Sequence, residues 1–147
     1  LRDNGGGLVK SVCDILDTIL PKGLLVYTED KNGKREEEWA DDPDCINVPM
    51  VVLVNGNSAS ASEIFTGAMK DYDKAEIIGT KTYGKGIVQQ FISFSDGSAV
   101  KLTSYEYFTP NGTAIHGVGI EPDIVVEYDT EAEEDNQLQA AIAFLSK

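Results

Sequence analysis

Apolar residues recur every three or four positions near the start of the chain, after a segment that resembles the end of a strand and a glycine turn (LRDNGGG). This spacing predicts a helix that Pro21 and Gly23 end. Its expected buried face consists of Leu8, Val9, Val12, Ile15, Leu16, Ile19 and Leu20. LLVYTED and REEEWA follow, and the Asn32-Gly33 pair between them predicts a β-hairpin.

The middle of the chain changes to short, continuous apolar runs. PMVVLVN predicts a strand buried on both faces, and a helix is expected over about 61–72. AEIIG, IVQQFISF and AVKLTSYEYFTP predict further strands, with turns at Asp96-Gly97 and Asn111-Gly112. A last helix is expected over about 131–144. Strands that alternate with helices, followed by hairpins, favour a layered α/β fold.

Length and charge narrow the class of protein. The 147 residues fit one domain, and a net charge of −13 argues against nucleic acid as a partner. Six of the nine residues from Glu127 to Asp135 are acidic, which is typical of a solvated segment or a helix start.

Two cysteines make neither a disulfide scaffold nor a metal cluster. Cys13 is expected to be a small buried thiol, and a bridge to Cys45 stays open.

Membrane and export signals are missing from the sequence. No apolar run approaches the roughly 20 residues of a membrane span, and no signal peptide is present. The chain does not begin with methionine, so a piece of a longer protein is an open interpretation.

Serines crowd the junction between the apolar strand and the following helix. Ser60 and Glu63 fit a capping box, which is the simpler explanation of this serine. A second interpretation makes Ser60 a nucleophile, since the positive end of a helix and its free N–H groups stabilise a developing oxyanion. The pattern is not GxSxG, because Ser60 stands in the place of the last glycine. The one histidine, His116, lies in a glycine-rich turn and is expected to be structural.

Lys85 supplies a candidate base twenty-five positions after Ser60. Residues 79–85 also satisfy GxxxxGK, the first part of a phosphate-binding loop. That interpretation fails because Gly86 replaces the magnesium-binding hydroxyl and an expected strand follows instead of a helix. As a base, Lys85 needs its pKa lowered from about 10.4 by burial, for which Tyr83, Ile87 and Val88 are the expected surroundings.

Taken together, several strings resemble the carboxyl-terminal processing peptidases, also called tail-specific proteases. They are LRDNGGGL, VVLVNGNSASASEIFTGAMKDYDKAEIIGTKTYGKGIVQ, SDGSAVKLTSYEYFTPNG and GVGIEPDI, and together they cover nearly the whole chain. The resemblance implies a serine endopeptidase that cleaves polypeptides near their C-termini through an acyl-enzyme. It implies Ser60 as nucleophile, Lys85 as base and Gln89 in a supporting role, with no metal or cofactor.

The resemblance also implies an oxyanion hole made by the backbone N–H groups of Ala61 and Gly7. Gly5 departs from the family's usual proline, although the two glycines that follow it are kept. The implied fold is of the Clp protease and crotonase type, an α/β core of βαβ units with additional β-hairpins. Residues 1–147 would form the C-terminal part of that catalytic core, without the N-terminal segment and PDZ domain that family members usually carry.

An exported, cell-envelope location is implied by the resemblance alone, and homo-oligomer formation is left open. Two other functions compete with a peptidase. One is an inactive peptidase-like module for binding or assembly. The other is a crotonase-like acyl-CoA enzyme, which requires neither Ser60 nor Lys85.

Overall fold

The computed structural model describes residues 1–42 and 44–147 and shows a mixed α/β fold. Helices lie near both ends of the chain and in its middle, between the strands. In chain order the elements are α1 (Val9–Ile19), β1 (Gly23–Asp30), β2 (Arg35–Ala40), β3 (Val51–Val54), α2 (Ala61–Asp71), β4 (Glu76–Gly79), β5 (Ile87–Ser93), β6 (Ala99–Phe108), β7 (Ile124–Val125) and α3 (Asn136–Leu145).

Two sheets organise the described residues. The first has the order β2-β1-β6-β5, and its neighbouring strands are antiparallel. The second has the order β3-β4-β7, and its strands are parallel. Helix α2 follows β3 and precedes β4 in the chain, so the loop that ends β3 leads directly into the first turn of α2.

One apolar core joins both sheets to α1 and α2. Leu16 and Leu20 are fully buried, as are Val54 and Ile77 from the parallel sheet. Each such side chain contributes roughly 1.5–3 kcal/mol through burial. Helix α3 contacts β3 and β4, and α2 contacts β4, so both helices pack against the parallel sheet. The prediction that β3 is buried on both faces is confirmed for one face only: Val52 and Val54 are buried, whereas Val51 and Leu53 are partly exposed.

The hairpin and turn predictions are confirmed as well. β1 and β2 pair around Gly33, whose φ of 79° is in the left-handed region that the Asn-Gly signal predicts.

A strand rather than a helix follows Gly86, which confirms the argument against a phosphate-binding loop. Cys13 is buried, and both cysteines are free thiols.

Three details of the sequence prediction are wrong. Leu8 and Ile15 were expected on the buried face of α1, but their exposed fractions are 75% and 52%. Residues 1–8 form no strand; the first glycines continue directly into α1. Helix α3 begins at Asn136 rather than near residue 131, because the Asp135 carboxylate accepts the Leu138 N–H as an N-cap.

Candidate active site

Ser60 occupies a strained turn immediately before α2. Its φ and ψ of 59° and −119° lie in a region that residues with a Cβ avoid, at an expense of about 1–3 kcal/mol. Hydrolases of the GxSxG type present their nucleophile on a comparably sharp turn between a strand and a helix. The sequence lacks that motif, yet the backbone at Ser60 makes a turn of the same kind.

The three serines around this turn have different surroundings. Ser58 is fully buried, and its hydroxyl donates to the Leu1 carbonyl at 2.8 Å. Ser62 is 4% exposed, and its hydroxyl donates to the Asn4 carbonyl at 3.0 Å. Ser60 is only half-buried, and its hydroxyl donates no hydrogen bond within the described residues. Among the three, Ser60 alone has a hydroxyl left for chemistry.

The start of α2 has the capping-box arrangement that the sequence predicts, and it still leaves this hydroxyl available. The Glu63 carboxylate accepts the Ser60 N–H at 2.9 Å, and the Ser60 side chain faces the Glu63 N–H. That N–H, however, makes its 2.8 Å hydrogen bond to the Ser60 carbonyl oxygen. Glu63 therefore fixes the backbone of Ser60, and the hydroxyl proton of Ser60 has no acceptor within the described residues.

The glycine turn that precedes α1 packs directly on the Ser60 backbone. Gly6 has a φ of 94°, and a Cβ added there would lie 2.5 Å from the Ala59 carbonyl oxygen and 2.7 Å from the Ala61 nitrogen. No side chain fits in that space, so the turn requires glycine at this position. The close contact places the segment after Asn4 against the start of α2.

Gly7 and Ala61 are brought together by this packing. Both border one cavity of about 450 Å³ between α1 and α2. Within the described residues, neither backbone N–H donates a hydrogen bond, whereas the Gly6 N–H is used by the Asn4 side chain. Both N–H groups are therefore without an acceptor within the described residues, which is one requirement of an oxyanion donor.

The fully buried carboxylate of Glu63 connects the Ser60 turn to the Lys85 loop. Its Oε2 accepts the backbone N–H groups of Ser60, at 2.9 Å, and of Lys85, at 2.8 Å. Its Oε1 accepts the Thr82 hydroxyl and the Gly84 N–H, both at 2.6 Å. One side chain therefore sets the relative position of both segments that carry the candidate residues.

The Lys85 side chain lies in a different environment from the one predicted. Lys85 is exposed, and Tyr83, which was expected to help bury it, is itself 69% exposed. Within the described residues, the Lys85 amine and the Ser60 hydroxyl make no hydrogen bond with each other. The structure brings together the backbones of these two residues and leaves the lysine side chain in solvent.

Gln89 lies in β5, four residues after Lys85 in the chain, and is also exposed. A register shift in the pairing of β5 with β6 falls between Val88 and Gln89. Such an irregularity re-aims the side chains that follow it. Gln89 makes no side-chain hydrogen bond within the described part of the chain.

The remaining reactive side chains lie apart from this turn or are chemically inert. Burial raises the pKa of the Cys13 thiol to about 11, so this cysteine is not an activated nucleophile. The His116 side chain is exposed, while its backbone nitrogen contacts Gly86 closely enough to exclude any larger residue there. Residues 1–42 and 44–147 contain no cluster of three or more His, Cys, Asp or Glu side chains suited to a metal ion.

A family model described as peptidase family S41 matches residues 1–126. The chain belongs to peptidase family S41. The match includes every candidate residue described above, from the glycine turn to Gln89.

Similar S41 and processing-protease sequences support the same assignment. The chain is 45% identical over 130 residues to a probable CtpA-like serine protease of Staphylococcus epidermidis, covering 86% of this chain and 26% of that protein. It is 40% identical over 152 residues to a carboxyl-terminal-processing protease of Synechocystis, covering 99% of this chain and 36% of that protein. The chain therefore spans about a quarter to a third of the length of these relatives.

A solved structure agrees with the sequence comparison. The photosystem II D1 C-terminal processing protease superposes with a TM-score of 0.83 at 37% identity, covering 99% of this chain and 37% of that one. The S41 fold thus extends through α3, beyond residue 126.

Sequence reasoning missed part of what holds this S41 site together. The sequence predicts Glu63 only as the second residue of a capping box. Its bonds to Thr82, Gly84 and Lys85 span 19 to 22 residues of chain. The sequence shows only a glutamate at the third position of α2, and its burial, which requires several donors around the carboxylate, is visible only in the structure.

Proposed function

We propose that this chain carries the catalytic residues of a serine endopeptidase that cleaves polypeptides near their C-termini. Neutral Lys85 removes the proton of the Ser60 hydroxyl, and Ser60 attacks the scissile carbonyl. The protonated amine of Lys85 then gives its proton to the leaving nitrogen, and an acyl-enzyme forms. Water attacks this ester with Lys85 again as base, and Gln89 supports the lysine or the substrate.

The single observation that carries this proposal is the state of Ser60. Its strained backbone and uncommitted hydroxyl contrast with Ser58 and Ser62, whose hydroxyls are buried and bonded to carbonyl groups. A cap or a packing residue needs no positive φ, whereas a nucleophile on a sharp turn has one. The strain is retained because Glu63 and Gly6 over-determine the turn.

The oxyanion in this mechanism is assigned to the N–H groups of Gly7 and Ala61. They border one cavity and are unpaired within the described residues. In well-studied hydrolases, losing one such donor raises the barrier by about 3–4 kcal/mol. The Gly6 N–H is excluded from this role because it donates to Asn4.

Lys85 acts as a base only when its amine is neutral, and in the structure this side chain is exposed to solvent. We assign its desolvation to the bound polypeptide, which covers the loop when the scissile bond lies over Ser60. Removing water from an amine disfavours its charged form and lowers its pKa. Tyr83, exposed beside Lys85, provides an apolar contact for that polypeptide.

Three coarser features belong to the same proposal. The parallel pairing of β3 with β4, and α2 between them, support a Clp protease and crotonase type of core. The substrates are polypeptides, and the chemistry above needs no metal or cofactor. An exported, cell-envelope location is proposed from the family alone; no helix in the described residues is long and apolar enough to cross a membrane.

The test is peptide cleavage by the full-length protein that contains this chain. We expect Ser60→Ala and Lys85→Ala each to lower kcat by at least about 10³-fold, as in other catalytic units. Lys81→Ala is the matched control, because Lys81 is an exposed lysine in the same loop that pairs with Glu121 instead. Equal activity in wild type, Ser60→Ala and Lys85→Ala would refute the dyad. Peptide binding without turnover in the wild type would favour an inactive binding module.

A further inference from the structure

Asn4 joins the segment that carries Gly7 to the start of α2. Its carbonyl oxygen accepts two donors from the serine-rich turn, the Ala59 N–H and the Ser62 hydroxyl, both at 3.0 Å. The second of these bonds joins residues that are 58 positions apart in the chain. Asn4 therefore fixes the spacing of two segments that the chain itself connects only through α1 and three strands.

The side chain of Asn4 shapes the same segment from within. Its Oδ1 accepts the Gly6 N–H at 2.9 Å, two residues further on, and so closes an Asx turn. Gly6 has a φ of 94°, and the next N–H, that of Gly7, has no acceptor within the described residues. The turn thus uses the first of these N–H groups internally and leaves the second free for a ligand.

Both bonds end beside the two N–H groups that are assigned to the oxyanion. Ser62 directly follows Ala61, and Gly6 directly precedes Gly7. A shift of Asn4 would therefore move the Gly7 donor relative to the Ala61 donor. Two donors stabilise one developing oxyanion only if both already point at its position before the reaction begins. The spacing that Asn4 sets is thus a property on which the rate depends.

The exposure of this turn separates positioning from packing. Asn4 and Gly6 are both exposed, so water can take the place of Oδ1 as the acceptor of the Gly6 N–H. Breaking this bond leaves no cavity and no buried polar group without a partner. The folded state then loses little stability, whereas the turn gains freedom to move. Activity and stability should therefore respond differently to a change at Asn4.

We propose that Asn4 is a positioning residue that, together with Ser62, holds the Gly7 and Ala61 N–H groups at the spacing that receives the oxyanion. The inference rests on the proposed peptidase function and adds to it residues that act through these donors. Their loss weakens interactions made in the transition state and leaves those of the bound substrate unchanged, so kcat falls and KM does not rise.

The test measures peptide cleavage by the full-length protein, and its inhibition by a peptide aldehyde whose adduct with Ser60 carries an oxyanion. Asn4→Ala removes the acceptor of the Gly6 N–H. Since a displacement of about 1 Å lowers rates by on the order of 10²-fold, we expect this smaller change to lower kcat by about 10-fold. The inhibition constant of the aldehyde should rise by the same factor, while KM and the melting temperature stay at their wild-type values.

Two further variants separate the hydrogen bonds of Asn4 from its mere presence. Asn4→Ser should recover part of the lost rate, because a serine hydroxyl accepts the same N–H more weakly. Ser62→Ala removes the hydroxyl donor to the Asn4 carbonyl, which keeps the Ala59 N–H, and should also lower kcat with KM unchanged.

Asp129→Ala is the matched control. The Asp129 carboxylate accepts the Glu131 N–H at 2.9 Å, so it forms the same bond to the second residue on, in an exposed segment between β7 and α3. This variant should change neither kcat nor inhibition by the aldehyde.

Each outcome supports or overturns a stated proposal. Lower kcat and weaker aldehyde inhibition in Asn4→Ala, with partial recovery in Asn4→Ser, support the positioning role. Wild-type kcat and aldehyde inhibition in Asn4→Ala overturn it and leave the peptidase standing, as does a raised KM at unchanged kcat. A rate in Asn4→Ser as low as in Asn4→Ala also overturns it. Absence of cleavage by the wild type overturns the peptidase function and the positioning role with it.

Discussion

Replacing Glu63 by glutamine tests whether one buried carboxylate positions both segments of the site. The amide has the shape of the carboxylate but replaces one acceptor oxygen by an NH₂ group. With its nitrogen at the place of Oε2, it faces the N–H groups of Ser60 and Lys85, and both lose their acceptor. In the reverse orientation the NH₂ group takes the place of Oε1. It can then donate to the Thr82 hydroxyl, and only the Gly84 N–H loses its acceptor. At least one buried donor is therefore left without a partner.

The expected loss of stability follows from the number of buried N–H groups that are left without an acceptor. A buried N–H without an acceptor raises the free energy of the folded state by about 1–3 kcal/mol. Weakening of the charge-assisted bonds that remain adds about 1 kcal/mol more. We expect Glu63→Gln to reduce the free energy of unfolding by roughly 2–4 kcal/mol. For a domain of this size, each kcal/mol corresponds to about 2–4 °C in melting temperature.

Activity should fall further than stability alone explains. A displacement of about 1 Å between reacting groups lowers rates by on the order of 10²-fold. In either orientation the amide loses at least one bond to the Lys85 loop, to Lys85 or to Gly84, so the loop can shift relative to the Ser60 turn. We therefore expect kcat to fall by that factor at temperatures where the variant is fully folded. Circular dichroism melting and peptide cleavage at 20 °C measure the two effects separately.

Glu133→Gln provides the matched control, because Glu133 lies exposed before α3 and makes no hydrogen bond within the described residues. It should leave the melting temperature and kcat unchanged. If Glu63→Gln melts within about 1 °C of the wild type and keeps its kcat, the four bonds to Glu63 do not position the site. If stability falls while kcat is preserved, Glu63 stabilises the fold without orienting the dyad.

The remaining predictions concern a glycine, an ion pair and a thiol. Gly6→Ala should lower both melting temperature and kcat, whereas Gly5→Ala, where a Cβ meets nothing within 4 Å, should change neither; equal effects would contradict the packing of Gly6 on the Ser60 turn. Arg2 lowers the pKa of Asp135 to about 2, so their ion pair stabilises the folded state above the ordinary pKa of 3.8, and this contribution is lost as the pH falls towards 2. Urea unfolding of Asp135→Asn, which keeps an N-cap, should therefore differ from wild type at pH 6 and converge with it near pH 2; a constant difference would refute the linkage. The Cys13 thiol, with its pKa raised to about 11, should react with iodoacetamide at pH 8 only after unfolding, and rapid labelling of the native protein would contradict its burial.

The sequence predicts an element of the fold correctly where the residues that determine it lie close together in the chain. Asn32-Gly33 sets the β1–β2 hairpin through the left-handed conformation of its glycine, and a continuous apolar run gives β3. The predicted start of α3 is too early because the acidic residues 131–134 also fit a helix start, whereas in the structure the Asp135 carboxylate caps the helix at Asn136. The buried face of α1 was overestimated at Leu8 and Ile15, since periodicity shows which residues share a face and not how much of that face the core covers.

The site is less accessible to sequence reasoning than the fold. The glycine turn and the serine-rich helix start are visible as motifs, but the positive φ of Ser60 arises from contacts with Gly6 and Glu63. The spacing of Ser60 and Glu63 in the sequence predicts only the local bond of Glu63, the one that it accepts from the Ser60 N–H. The bonds to the Lys85 loop depend on how β4 returns beside β3, which no local pattern contains.

The central claim is that Ser60 becomes acylated with Lys85 as its base. Rapid-quench mass spectrometry of the full-length protein, mixed with a slowly turned-over ester substrate, measures this step directly. The account predicts an acyl adduct on the peptide that contains Ser60, formed at least about 10³-fold more slowly in Lys85→Ala and at the wild-type rate in Lys81→Ala. An adduct on another residue, or one that forms equally fast without Lys85, would contradict it.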